Sequence, residues 1–132
     1  MIVVAAVIER DGHILVGQRR QGRRQALKWE FPGGKVEAGE TPQAALRREL
    51  EEELDIRATV GPEIIRYEHQ RPRGKPILLI FYRVNAFQGA PSNQAFEQLR
   101  WETRRRLAEY DFLDGDVDFV RRLAAGQFRD AD

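Results

Sequence analysis

The sequence predicts an α+β fold in which a mixed β-sheet lies between helices. Strand-like runs occur as hairpin pairs in both halves of the chain, one helical segment separates the two hairpins, and further helical segments close the chain. The 132 residues can bury one hydrophobic core but not two independent ones, so we predict a single domain over residues 1–132.

Composition narrows the possible functions. The 22 Lys and Arg residues nearly balance the 21 Asp and Glu residues, so the net charge gives no general attraction to nucleic acid or to a membrane. The chain has no cysteine, which excludes disulfides and thiolate chemistry and suits a reducing, cytoplasmic location. The apolar run at the N-terminus meets Glu9 and Arg10 too early for a signal peptide or a membrane helix, so we interpret it as a buried strand.

The chain opens with a predicted β-hairpin. Residues 2–9 and 13–19 are rich in β-branched and aliphatic side chains, and Asp11 and Gly12 between them are typical of a tight turn. The basic, glycine-containing stretch at 19–28 predicts a loop.

A bend and a helix follow this loop. Residues 29–32, with the sequence WEFP, form a short extended segment, and the Gly33 and Gly34 pair after it predicts a bend. Thr41 can cap the next helix, and Pro42 occupies its first position, where a missing N–H costs nothing.

The second half of the chain contains another predicted hairpin. Its arms are residues 63–70 and 76–87, separated by the turn-rich stretch 71–75. The second arm is long and apolar enough to be a central strand of the sheet. Residues 98–101 then predict a short strand.

Two helical segments are predicted at the end of the chain. Residues 103–110 read as a short helix capped by Thr103, and residues 116–126 read as a terminal helix closed by Gly126. Together with the central helix, the terminal helix suggests a mixed sheet sandwiched between helices.

Four glutamates occupy five positions of the central helix, namely Glu49, Glu51, Glu52 and Glu53. On a helical wheel all except Glu51 form a stripe beside the apolar stripe of leucines. Like charges at such spacings repel by roughly 0.2–0.5 kcal/mol per pair, so something must offset the repulsion. A solvated acidic face with i,i+4 ion pairs to Arg47 and Arg48 is one interpretation.

The residues before the helix favour a second interpretation, a cation site. Glycines leave backbone groups accessible because no Cβ blocks their approach. A hard cation such as Mg²⁺ takes oxygen ligands from carboxylates, backbone carbonyls, water and substrate phosphates. Such a cation would neutralise the repulsion along the acidic stripe.

This combination resembles the Nudix box, whose pattern is G-x5-E-x7-R-E-U-x-E-E-x-G-U, where U is an aliphatic residue. The matching residues are Gly34, Glu40, Arg48, Glu49, Leu50, Glu52, Glu53 and Ile56. Asp55, which ends the predicted helix, stands where the family has Gly. That Gly adopts a left-handed conformation, which Asp tolerates better than most residues, so we expect a cost of about 1 kcal/mol and intact chemistry. The order of elements on both sides of the box also resembles the Nudix fold, an α/β/α sandwich.

The resemblance implies a reaction and the residues that perform it. Nudix enzymes hydrolyse a nucleoside diphosphate linked to a further group, by attack of water on phosphorus with Mg²⁺ or Mn²⁺. Glu52 and Glu53 would be metal ligands, and Glu49 would be a ligand or the general base. The Gly33 carbonyl would be a further ligand, and Arg48 would orient a carboxylate.

Many members of the family have another metal-binding glutamate in the loop before the late RW strand. In this sequence the expected position holds Ala95, and Glu97 is the nearest substitute. We therefore predict Glu97 as a weaker candidate ligand.

The WEFPGGK stretch resembles the MutT branch, which includes 8-oxo-dGTP pyrophosphatases and relatives that act on cytidine nucleotides. The resemblance implies that Arg19 contacts sugar or phosphate, that Lys35 is a basic residue at the bend, and that Phe31 lies near the base. Asp116 falls in the segment that reads the base. Solvent exposure for Arg19, a core position for Phe31 and helix capping for Asp114 and Asp116 are the alternatives. An ionised Asp116 would accept N–H donors of either 8-oxoguanine or cytosine, so the base is undecided.

The leading prediction is a Mg²⁺-dependent pyrophosphohydrolase that cleaves a nucleoside triphosphate such as 8-oxo-dGTP to the monophosphate and pyrophosphate. A second reading is hydrolysis of cytidine nucleotides, ADP-ribose or nucleotide sugars, and a third is a non-catalytic nucleotide- or RNA-binding module. We expect a small-molecule nucleotide partner, neither a membrane nor a nucleic acid, and either a monomer or a homodimer.

Overall fold

The computed structural model of the protein describes residues 1–129, so the last three residues of the predicted domain 1–132 lie outside the described part. Within it the strands are β1 (Ile2–Arg10), β2 (His13–Gln18), β3 (Trp29–Glu30), β4 (Gly33–Lys35), β5 (Arg57–Thr59), β6 (Glu63–His69), β7 (Ile77–Val84), β8 (Ala86–Gln88) and β9 (Gln98–Thr103). The helices are α1 (Pro42–Leu54) and α2 (Val117–Ala124), with 3₁₀ segments at Arg105–Glu109 and Asp114–Asp116.

The main sheet is mixed, as the sequence predicts. Its strands follow the order β3-β2-β1-β7-β6, with β4 also paired to β1 and β9 to β2. Strands β1 and β7 run parallel, whereas the other pairs of named strands are antiparallel. The long apolar strand β7 lies between β1 and β6 and is buried from Leu79 to Val84, which confirms its predicted central position.

The two faces of the sheet are covered by different helices. Alternate residues of a strand point to opposite faces. In β1, Val4, Ala6 and Ile8 share one apolar cluster with the leucines of α1, and Ala5 and Val7 share another with the buried residues of α2. The sheet therefore lies between α1 and α2, as expected for an α/β/α sandwich. No helix within residues 1–129 is long and apolar enough to cross a membrane.

Helix α1 begins and ends where the sequence predicts. The Thr41 hydroxyl accepts the Ala44 N–H at 3.1 Å, and Pro42 is the first helical residue. The chain leaves the helix through Asp55, which adopts a left-handed conformation with φ 55° and ψ 41°. Leu46, Leu50 and Leu54 are fully buried against the sheet.

The predicted bend at Gly33 and Gly34 is instead a strand. Residues 33–35 form β4, which pairs with Val3–Ala5 of β1. A Cβ on Gly33 would collide with the backbone carbonyl of Val4, so the glycine permits close approach of two strands. The prediction of an open bend was wrong because β1 already occupies that side of the backbone.

The predicted helix cap at Thr103 was also wrong. Thr103 is the last residue of β9 and lies opposite His13 of β2, so its backbone is extended. Only a 3₁₀ segment follows, at Arg105–Glu109, and no side chain caps it.

The terminal helix α2 is shorter than predicted but ends as expected. Gly126 has φ +94°, and its N–H donates to the Leu123 carbonyl at 3.1 Å. The Gln127 N–H donates to the Arg122 carbonyl at 3.1 Å, which completes a Schellman motif.

Candidate active site

A cavity of about 550 Å³ opens at the edge of the main sheet, beside the N-terminal end of the Nudix-like segment. Strands β1, β3, β4 and β7, helix α1, the loop after β2, the turn before β7 and the segment that leads into α2 all contribute to its walls. Most of the predicted site residues line it, namely Arg19, Phe31, Gly33, Lys35, Glu49, Glu53 and Asp116.

Four acidic side chains form an acidic row along this cavity: Asp116, Glu30, Glu53 and Glu49. Burial raises the pKa of all four carboxyl groups. The pKa of Glu53 reaches about 8, and the neighbouring charges of Glu30 and Glu49 raise it further than burial alone would. Negative charge along the row is therefore costly until a cation approaches.

Arg48 donates hydrogen bonds to Glu49, at one end of the acidic row, and to neighbouring carboxylates. Its Nε and Nη2 donate to the two carboxylate oxygens of Glu40 at 2.8 and 2.9 Å, which holds the pKa of Glu40 down to about 2. Its Nη1 donates to Glu49 at 2.9 Å and to Glu52 at 3.4 Å, and its Nη2 also donates to the Lys35 carbonyl at 3.1 Å. Arg48 thereby offsets much of the repulsion along α1.

The predicted pairing of Arg47 with Glu51 is not among the ion pairs of residues 1–129. Glu52 is the most exposed of the three stripe glutamates, with 59% of its side chain accessible. It therefore lies at the mouth of the site, outside the lining of the cavity.

The two glycines of β4 place the backbone against these glutamates. The Gly33 N–H donates to Glu53 Oε1 at 2.9 Å. A Cβ on Gly34 would lie 2.5 Å from the carboxyl carbon of Glu49, so any larger residue would push this carboxylate out of its present position. Ladder hydrogen bonds join β1 to the residues on either side of Gly33 and Gly34, at Pro32 and at Val36. The alternation of an antiparallel ladder then turns the Gly33 carbonyl away from β1, towards Glu53.

The donor set suits a hard divalent cation. Carboxylates and a backbone carbonyl are the oxygen ligands that Mg²⁺ and Mn²⁺ prefer. Burial raises the pKa of Glu49 and Glu53 even though Arg48 and the Gly33 N–H donate to them, so a cation would favour their ionised forms. No three acidic or histidine side chains within residues 1–129 already converge on one point. Glu49 bonds to Arg48 and Glu53 bonds to Gly33, so these side chains would rotate to share an ion.

Asp116 lies at the other end of the row. It is 7% exposed and precedes α2, but its side chain makes no capping hydrogen bond, which argues against the helix-capping alternative. The Tyr67 hydroxyl donates to the Gly115 carbonyl at 2.6 Å and Lys28 Nζ donates to Asp114 at 2.9 Å, so the turn is fixed on both sides. Burial, followed by the charge of Glu30, raises the pKa of Asp116 to about 8. Burial therefore favours a protonated carboxyl, which can donate a hydrogen bond, over the ionised acceptor that the sequence suggests.

Arg19 and Phe31 occupy fixed positions at the cavity wall. Arg19 Nε donates to Glu30 at 3.1 Å and its Nη1 donates to the Arg24 carbonyl at 2.9 Å, so it is not a solvated strand end. Phe31 is 3% exposed and stacks on Phe112 with a centroid distance of 5.3 Å, so it is a core residue whose edge reaches the cavity.

The structure does not bring Glu97 to the site. Glu97 is exposed, and its N–H donates to the Gln18 carbonyl at 2.8 Å, whereas Ala95 and Phe96 line the cavity. Sequence reasoning missed Glu30, although an acid between two buried aromatic residues of an extended segment is a usable signal. It also missed three arginines of the cavity wall, Arg23, Arg24 and Arg71.

Comparison with known proteins agrees with this geometry. The NUDIX domain model matches residues 1–123. The CTP pyrophosphohydrolase of Escherichia coli strain K12 is 41% identical over 124 residues, covering 93% of this chain and 90% of that protein. The 8-oxo-dGTP diphosphatase of Haemophilus influenzae is 39% identical over 125 residues, covering 93% and 91%.

Solved structures of similar proteins show the same fold. A MutT structure, from work on the fish pathogen Aliivibrio salmonicida and the mesophile Vibrio cholerae, superposes with a TM-score of 0.81 at 32% identity. The superposition covers 93% of this chain and 95% of that one. With the box residues assembled around one cavity and the family model matching nearly the whole chain, the protein belongs to the Nudix hydrolases, among which it is similar to the MutT enzymes.

Proposed function

We propose that the protein is a Mg²⁺- or Mn²⁺-dependent pyrophosphohydrolase that converts a nucleoside or deoxynucleoside triphosphate to the monophosphate and pyrophosphate. The observation that carries this proposal is the acidic row, which ends at Glu49 and Arg48 beside the glycines of β4 in a nucleotide-sized cavity. Hydrolysis of damaged nucleotides would take place in the cytoplasm, where the nucleotide pool is found.

The residues divide the chemistry between them. Glu52, Glu53 and the Gly33 carbonyl would hold the cation, with Glu49 as a further ligand or as the general base. The cation would supply charge neutralisation at the phosphates and acidify a nearby water. Arg48 Nη1 fixes one oxygen of Glu49 at 2.9 Å, which leaves the other oxygen to accept the proton of the attacking water. Lys35 and Arg19 both lie at the cavity wall and would balance the charge of the phosphate chain.

The base is proposed to lie at the Asp116 end of the cavity. A protonated carboxyl donates through its hydroxyl and accepts through its carbonyl oxygen. 8-Oxoguanine offers an acceptor and an N–H donor side by side, and so does cytosine, which matches the activities named for the two relatives. We propose 8-oxo-dGTP as the first substrate to test and CTP as the second.

A panel of nucleotides with Mg²⁺, followed by phosphorus NMR of the products, tests the proposal. Pyrophosphate with a nucleoside monophosphate supports it. Release of orthophosphate, turnover of ADP-ribose in preference to every triphosphate, or no turnover at all would contradict it. Comparison of kcat/KM for 8-oxo-dGTP, dGTP and CTP then assigns the base.

A further inference from the structure

Arg71 stands in the turn between β6 and β7, at the wall of the cavity. It lines the cavity together with Ile77, Leu79 and Asp116. Arg71 is half-buried, whereas Arg73 in the same turn is exposed. One arginine of this turn therefore faces the cavity and the other faces solvent.

The turn itself holds the Arg71 side chain in place. Arg71 Nε donates to the Lys75 carbonyl at 3.1 Å, across the turn. Gly74 has φ +92°, and a Cβ on it would lie 3.0 Å from Nη2 and 3.4 Å from Cζ of Arg71. The guanidinium group thus lies against backbone that carries no side chain. Within residues 1–129 Arg71 forms no ion pair, so its charge is not committed to a carboxylate.

Arg71 lies at the same end of the cavity as Asp116. Strand pairing places Ile77, which follows the turn, opposite His69. A Cβ on Gly115 would lie 3.1 Å from the His69 ring and 3.2 Å from Leu79, so the Asp116 turn packs directly on this part of β6 and β7. The proposed cation ligands Gly33, Glu49 and Glu53 are at the other end of the acidic row.

We propose that Arg71 is a specificity-determining residue that covers the nucleobase, with its guanidinium plane stacked on the ring. This inference rests on the proposed function and adds the base contact that the box residues do not provide. A planar guanidinium stacks well on aromatic faces, and the apolar side chains of Ile77 and Leu79 offer the ring a second contact surface. Because a purine presents a larger face than a pyrimidine, Arg71 favours purine nucleotides over pyrimidine nucleotides.

The test compares Arg71→Ala with the matched control Arg73→Ala. Loss of the stacked guanidinium is expected to raise KM for dGTP or 8-oxo-dGTP roughly 5- to 20-fold, with a smaller rise for CTP and an unchanged kcat. The control should leave all three KM values within about 2-fold, since an exposed side chain contributes little. Equilibrium binding of GMP and CMP without metal should show the same order, independently of turnover.

A second variant and a second probe separate stacking from a general charge effect. Gly74→Ala, which crowds the guanidinium and strains the turn at φ +92° but leaves Arg71 in the chain, should raise KM for purines in the same direction. Inhibition by inorganic pyrophosphate should stay unchanged in Arg71→Ala. Equal losses for purines and pyrimidines, weaker inhibition by pyrophosphate, or an unchanged KM for purines would overturn the inference. Absence of nucleotide hydrolysis by the unmodified protein contradicts the proposed function instead, and the GMP measurement would still decide the role of Arg71.

Discussion

Glu53 and Glu51 lie two positions apart on α1 but in different surroundings. Glu53 lines the cavity and accepts the Gly33 N–H, whereas Glu51 is exposed outside that cavity. We expect Glu53→Gln to lower kcat by about 100-fold or more, because it removes a charged oxygen from the proposed cation site. Glu51→Gln should retain activity. Steady-state kinetics with Mg²⁺, with circular dichroism to check folding, makes the comparison, and near-normal rates in both Glu52→Gln and Glu53→Gln would eliminate the metal role.

The buried carboxyl of Asp116 leads us to predict that the stability of the protein falls as pH rises. In the unfolded chain its carboxyl loses a proton near 3.8, whereas in the folded protein burial raises its pKa to about 8. Between these values the folded state binds more protons, so the free energy of unfolding falls as pH rises. Glu30 adds to the effect, Arg19 opposes it, and Tyr67 faces the same turn.

The variant Asp116→Asn removes this ionisation. Relative to the unmodified protein, it should gain more than about 1 kcal/mol in free energy of unfolding between pH 5 and pH 8. Urea denaturation with a chelator present, at both pH values, measures the difference. A constant offset between the two proteins would show that Asp116 does not titrate in this range.

The sequence predicted the stripe of glutamates because 3.6-residue geometry fixes their spacing on one helix, and the resemblance to the Nudix box implied their roles. It could not rank them, since Glu49 and Glu53 are distinguished only by the strand that packs beside them. Glu30 and Arg71 come from β3 and from the turn before β7, which meet the helix only in the tertiary structure. Their roles depend on distances between segments, which a single sequence does not specify.

At the scale of secondary-structure elements, the conformation at the C-terminal end of α1 leads to a testable prediction. Asp55 holds a left-handed conformation in place of the family's Gly, which costs a residue with a Cβ about 1 kcal/mol, and its negative charge lies at the negative end of the helix dipole. Asp55→Gly should therefore raise the free energy of unfolding by about 0.5–1 kcal/mol at unchanged kcat. Thermal denaturation gives the answer, and Asp55→Val, a β-branched residue, should lower the stability. A lower melting temperature for Asp55→Gly would contradict the argument.

The wrong predictions of secondary structure have one physical cause. Thr103 and the Gly33–Gly34 pair carry the local signals of a cap and a bend, yet pairing with β2 and β1 keeps both segments extended. Helix α1 was predictable to the residue because its cap, its proline and its leucine stripe all act within the helix. Tertiary strand pairing overrides local propensity, and only the fold reveals it.

On the scale of the whole molecule, Arg104 joins the start of the chain to its end. It is 7% exposed, and its Nε and Nη2 donate to the two oxygens of Glu9 at 3.0 and 2.8 Å. Its Nη1 donates to the Gln127 carbonyl at 3.0 Å. One side chain thus connects β1, the end of β9 and the segment after α2.

Arg104→Met should lower the free energy of unfolding by about 1.5–3 kcal/mol, because the half-buried Glu9 carboxylate would lose both hydrogen bonds from the guanidinium. Arg106→Met, which loses only the exposed pair with Glu109 at 3.5 Å, should change it by about 0.5 kcal/mol or less. Chemical denaturation compares the two, and similar losses would show that burial is irrelevant here. Neither arginine lines the cavity, so KM should not change in either variant.

The hydrogen bonds of Arg48 to Glu49 and Glu52 of α1 also affect the folding of the metal-free protein. Because Arg48 acts as a counterion within α1, the helix can form without a bound divalent cation. Binding of the proposed cation would then be an exchange of partners, in which Glu52 leaves its 3.4 Å contact with Arg48 to reach the ion. At low magnesium concentration the protein would therefore stay folded, and the proposed activity would return when the ion is restored.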